Sequence, residues 1–167
     1  MEHYWDEAFG YFGAARNFSD YTDDEIAGKG GREDFQGFND ANGDSQIDLT
    51  SEFNFGNSVN AAKRDRKGSG SDFTADAFAA WLRGRALIAH NHGLDYDEWS
   101  ADDQADLDAQ MVAVQAAWEG AVAATAIHYA DDVLIDMSKF GTTAYSYADH
   151  AKHWGELKGF ALGLQFN

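Results

Sequence analysis

Not one of the 167 residues is proline. A chain without proline escapes the missing N–H and the ring clash that end or kink helices, so long helices can run uninterrupted. The periodicity uses that freedom. Trp5, Ala8, Phe9 and Phe12 recur at helical spacing, which predicts a helix over 2–13 closed by Gly13. A second is expected over 51–64, on Phe53, Phe55, Val59 and Ala62. A third is expected over 74–90, on Phe78, Trp81, Leu82, Leu87 and Ile88, with Arg85 interrupting the stripe and His90 and His92 at its end. Ser100 caps a fourth, with Asp102 and Asp103 in its first turn. That helix runs to about 137 along Val112, Ala116, Trp118, Val122, Ala126 and Val133, and a last one is expected over 143–166. The pattern is that of an all-α antiparallel helical bundle, one domain over 1–167. Residues 14–50 are polar and rich in Gly and Asp, and read as a long acidic loop insertion of the kind a ligand pins. Residues 63–71 are the one local basic cluster. Both ends stay in apolar pattern, which reads as a segment of a longer protein.

Charge narrows the partners. With 29 acids against 12 bases the chain carries -17, a surface that repels phosphate and so excludes nucleic acid and anionic lipid. Cations, basic partners or a saline medium suit it, as does a plain solvated acidic coat. No cysteine is present, so any metal must be held by oxygen and imidazole nitrogen. No apolar run approaches ~20 residues, so no segment spans a membrane as a helix.

Three clusters have metal-ligand spacing. In 40–51, side-chain oxygens stand at Asp40, Asn42, Asp44 and Asp48, with a main-chain donor expected at Gln46 and an apolar anchor at Ile47. Alternate positions of a tight loop converge the six to eight oxygens that calcium requires, as in EF-hand and dockerin loops. Ser45 replaces the usual glycine, and Ser51 stands where the closing acid belongs, with Glu52 one residue later. An ordinary Asx-rich turn has the same composition. The first helix puts His3, Asp6 and Glu7 on one face, and the last puts His150, His153 and Glu156 on one face with Asp149 beside them. Two His-x-x-acid pairs on facing helices are how bundle metal sites are assembled. Histidines each bonded to a neighbouring acid give the same pattern. His128, Asp131 and Asp132 form a fourth, looser group.

The opening "EHYWDEAFGYF" and the ending "KHWGELKGFALGLQFN" resemble the signatures of a domain family of unknown function found in bacterial lipoproteins and secreted proteins. That family is similar to the imelysins, helical-bundle proteins of the cell envelope that carry a Gly-x-His-x-x-Glu motif and are associated with iron uptake. His3-Tyr-Trp-Asp6 matches the His-x-x-acid core, with aspartate for glutamate and without the glycine. The resemblance implies an exported protein of the periplasm or cell surface, half of a duplicated bundle, with iron as the metal and an envelope protein as partner. Zinc or copper fits the ligand types nearly as well. Neither zinc-peptidase signature, His-Glu-x-x-His or His-x-x-Glu-His, occurs. The expected function is non-catalytic metal binding through His3, Asp6, Glu7, His150, His153 and Glu156, with calcium at residues 40–48. The competing expectation is a calcium-stabilised structural or adhesive envelope module whose histidines are inert.

Overall fold

The computed structural model describes residues 1–31, 40–66 and 68–166. Part of the acidic insertion (32–39), Lys67 of the basic cluster and the terminal Asn167 lie outside the described residues. The described chain is all-α. Its helices are α1 (Glu2–Phe12), α2 (Asp23–Ile26), α3 (Asn57–Asp65), α4 (Phe73–His90), α5 (Ala101–Ser138) and α6 (Tyr147–Gly163), with short 3-10 turns between them. No β-strand occurs among the described residues, and no helix there is long and apolar enough to cross a membrane. Two compact units divide the chain, Met1–Trp118 and Glu119–Asn167, and α5 contributes to both.

In the first unit α1 packs on α4 through aromatic rings. The Trp5 and Trp81 rings meet edge to face at 4.9 Å, and the Trp5 indole N–H donates to the Trp81 carbonyl at 3.1 Å. Phe9 packs against Trp81 and Phe78, and Phe12 is fully buried against Phe18 and Trp118. Gly84 of α4 makes this fit possible, because a Cβ there would lie 2.0 Å from the Trp5 ring. Gly13 ends α1 in the left-handed region (φ 81), its N–H bonded to the Phe9 carbonyl.

The insertion is not all loop. Ala14, Ala15, Phe18, Tyr21, Ile26 and Ala27 are buried. The 3-10 turn Phe18–Asp20 carries Phe18, and the short α2, opened by a reciprocal Thr22–Glu25 capping box, carries Ile26, with Tyr21 and Ala27 at their C-terminal ends. The second expected helix starts six residues late for a related reason. Residues 51–55 are engaged with 13–16: Arg16 N–H donates to the Ser51 carbonyl at 2.8 Å, Phe55 N–H to Gly13 at 2.9 Å, and Ala15 N–H to the Asn54 side chain at 2.8 Å. Gly56 (φ 64) then turns the chain into α3.

Along α5 the buried line in the first unit runs through Leu107, Val114 and Ala117, while Val112 is 65% exposed. An alanine-rich helix is apolar on several faces, so spacing alone selects Val112 and Ala116 in place of Val114 and Ala117, while Trp118, against Phe12, and the buried Val133 lie where the spacing puts them. In the second unit Ala121, Thr125, Val133 and Asp136 are buried. There α6 begins at Tyr147 rather than 143, because a turn through Gly141 and Thr142 intervenes and Ser146 caps the helix through the Asp149 N–H.

Gly84→Ala should destabilise the protein. Overpacking a rigid ring costs ~1–3 kcal/mol, more than the ~1 kcal/mol of helix propensity gained. Gly10→Ala, where a Cβ meets nothing within 4 Å, should stabilise by up to ~1 kcal/mol. Denaturant midpoints of the two variants should move in opposite directions.

Candidate metal-binding sites

Two of the three acids of the opening helix, Glu2 and Asp6, meet an arginine. Arg85, the cation that interrupts the apolar stripe of α4, donates through Nη1 to Glu2 Oε1 at 2.9 Å and lies 3.3 Å through Nε from Asp6 Oδ1. His92 Nδ1 lies 3.8 Å from the same Glu2 oxygen. The Arg85 hydrogen bond holds the Glu2 carboxyl below its usual range. Among the described residues His3 pairs along its own helix, with Glu7 at 3.5 Å, and its side chain is 80% exposed. Of the three expected ligands here, the structure brings His3 and Glu7 together and turns Asp6 to Arg85. The mixture of rings and acids in residues 2–12 is thus a polar rim on an aromatic core.

The second unit has a tighter pair. His153 Nδ1 lies 2.7 Å from Asp136 Oδ2, and Asp136 is 4% exposed. Lys139 donates to its other oxygen at 3.1 Å. The His153 bond first, and Lys139 second, hold the Asp136 carboxyl below its usual range. Tyr129 stacks on His153 and on Phe160. His150, against Phe140 and Tyr145, has a buried Nδ1 without a partner, and Glu156 has a buried Oε2 without one. His128 forms a surface pair with Asp132 at 3.5 Å, leaving Asp131 out. Sequence reasoning missed Asp136. Its signal was register, since Tyr129, Val133 and Asp136 follow the four-then-three spacing of a buried face.

The acidic loop is the most organised of the three. Asp40 accepts three loop N–H groups, from Gly43 (2.7 Å) and Asp44 (3.1 Å) on one oxygen and Ser45 (2.8 Å) on the other. Asn42 accepts from Asp44 N–H at 2.9 Å, and Asp44 from Gln46 N–H at 2.8 Å. Ser45, where glycine is usual, adopts φ 62, the one left-handed non-glycine residue among those described. Asp48 accepts from the Thr50 N–H and hydroxyl and from the Ser51 hydroxyl. These bonds, Ser51 first, pull its carboxyl down from 3.8 to about 2. Glu52, only 2% exposed, reaches back under the loop: Oε1 accepts from Ala41 and Asn42 N–H at 2.9 and 3.3 Å, and Oε2 from Asp48 N–H at 3.0 Å. The acid one residue beyond its expected place therefore closes the loop from the core side.

Every donor here is an oxygen, the type a hard cation selects. In the described arrangement those oxygens serve loop N–H groups. Among the described residues no three or more His, Asp or Glu side chains stand together so as to hold a metal ion. Comparison with known proteins returns no similarity: no family model, no curated protein and no solved structure matches this chain.

The loop geometry predicts that Asp48 titrates near 2, read as the carboxyl carbon shift against pH. Its folded value is depressed, so its contribution to stability is complete above the unfolded value near ~4 and is lost as pH falls toward about 2. A midpoint near ~4 contradicts the bonding described.

Proposed function

We propose that this chain is a non-catalytic, all-α module that works outside the cytoplasm, with residues 40–52 taking one calcium ion. The observation that carries the reading is Glu52. A buried carboxylate beneath a loop that also bears Asp40, Asp44 and Asp48 concentrates four negative charges in 13 residues. None of the four forms an ion pair with Lys or Arg among the described residues. A divalent cation relieves that density. Each carboxylate oxygen has two lone pairs, so oxygens already accepting one N–H retain ligand capacity. Asp40, Asn42, Asp44 and Asp48 would supply side-chain oxygens and Gln46 its carbonyl. A loop whose oxygens must be redirected, with serine at its left-handed position, suits weak affinity. Extracellular calcium modules work at about 10⁻⁴–10⁻³ M, which is the setting that the resemblance to envelope proteins implies.

One observation supports a transition-metal role as a second reading. A ligating histidine commonly has its other nitrogen fixed by a carboxylate, as Asp136 fixes His153 Nδ1. Glu156, three residues on, has a buried oxygen without a partner. Zinc or iron there would fit the imelysin-like resemblance, with His153 and Glu156 as ligands. Exposed rings and aliphatics of the second unit, Tyr147 and Trp154 on α6 and Ile127 and Leu134 on α5, supply apolar surface for a partner protein.

Calcium should raise the melting temperature and excess chelator should lower it. A ligand bound only by the native state at a hundred times its dissociation constant adds ~2.7 kcal/mol. Asp44→Ala should abolish the calcium response. A melting curve indifferent to both calcium and chelator overturns the loop reading. Zinc binding that survives His153→Ala overturns the second one.

A further inference from the structure

A groove of about 550 Å³ lies between the 18–26 segment and the first half of α4. Its two ends differ in chemistry. Phe18, Ile26, Phe78 and Leu82 give it apolar walls. Asp23 and Asp72, with the Thr22 and Thr74 hydroxyls, line the other part. Asp72, the N-cap of α4, and Leu82, ten residues on, both line the groove, which therefore spans ~15 Å along the helix. That volume is typical of a small-molecule site.

The acids at its polar end lack compensation. Asp23 Oδ1 accepts the Thr74 hydroxyl at 3.0 Å, and Asp72 caps α4 through a long bond from Ala75 N–H. Neither is ion-paired with Lys or Arg among the described residues. Among the described residues, Arg66 is bonded to Asp24 and to neither of these acids. Asp65 is buried and its two oxygens are occupied by Ser71 and Thr74. Burial pushes the Asp23 carboxyl up despite the Thr74 bond, and Asp65, Asp72 and Asp24 push it further. Asp23 is half-buried and Asp72 exposed, so negative charge stands beside an aromatic wall, and at Asp23 it is partly desolvated, an arrangement that a cation completes.

We propose that this groove binds a small organic ammonium ion with an apolar body, its cation against Asp23 and Asp72 and its body against Phe18, Ile26 and Phe78. An ammonium supplies the charge and the donors that the carboxylates need, and the rings favour an aryl or branched body. Inorganic cations match only the acidic end.

Phenethylammonium is a suitable probe, with 2-phenylethanol as its neutral counterpart. Titrations followed by NMR, at saturating calcium so that the 40–52 loop is occupied, should show phenethylammonium binding at least about tenfold tighter than the alcohol. Its ring should give Overhauser contacts to Phe18 and Phe78. Asp23→Asn keeps the oxygen that accepts from Thr74 and removes the unpaired charge. It should raise the melting temperature and weaken phenethylammonium about tenfold or more. Equal binding of the two probes, no binding at millimolar concentration, contacts elsewhere on the acidic surface, or undiminished affinity in the stabilised Asp23→Asn protein overturns the proposal.

Discussion

A buried carboxylate must recover from the protein the hydrogen bonds it gave up in water, and Glu52 meets that requirement with three backbone N–H groups of one loop. The rest of the first unit is tied to it. Its own carbonyl accepts the Tyr21 hydroxyl at 2.9 Å, and the Ser51 carbonyl beside it accepts the Arg16 N–H. Through these contacts the acidic loop, the 14–27 segment and the approach to α3 share one anchor. The aromatic contact of α1 with α4 forms the other half of the unit, and Phe12 and Phe18 bring the halves together.

Helices were legible wherever one face alone is apolar. Residues 2–13 and 74–90 were read to within a residue, and the roles of Gly13 in ending α1 and of Ser100 in capping the start of α5 follow from backbone and capping chemistry that a sequence carries directly. What could not be read depends on partners distant in sequence. Phe53 and Phe55 have helical spacing from Val59, but residues 51–55 are claimed by 13–16, and nothing local announces that. The buried face of α5 was hidden by the abundance of alanine on all its sides. Residues 18–26 looked like loop because Phe18, Tyr21 and Ile26 are single apolar residues in polar surroundings.

The candidate sites divide along the same line. Alternating oxygens at 40–48 are a local signal, and the loop they form is ordered by its own side chains. The histidine faces also look local, yet their chemistry is set by a residue on another helix in each case. Arg85 takes Asp6, and Asp136 takes His153. A carboxylate three residues from a histidine describes a helix face, whereas the identity of its partner is decided by what packs against that face. Arg85, read as an interruption of a stripe, is the residue that explains Glu2 and Asp6 of the opening helix.

The central claim is that the loop over Glu52 is a specific calcium site and not simply part of a surface with a net charge of -17. A calcium titration read residue by residue from amide shifts tests it most directly. The account predicts large shifts confined to residues 40–52, saturating at one ion per chain, with the Ala41, Asn42 and Asp48 amides among those that move because Glu52 holds them. Small shifts spread over the acidic residues of both units, without saturation, would contradict it.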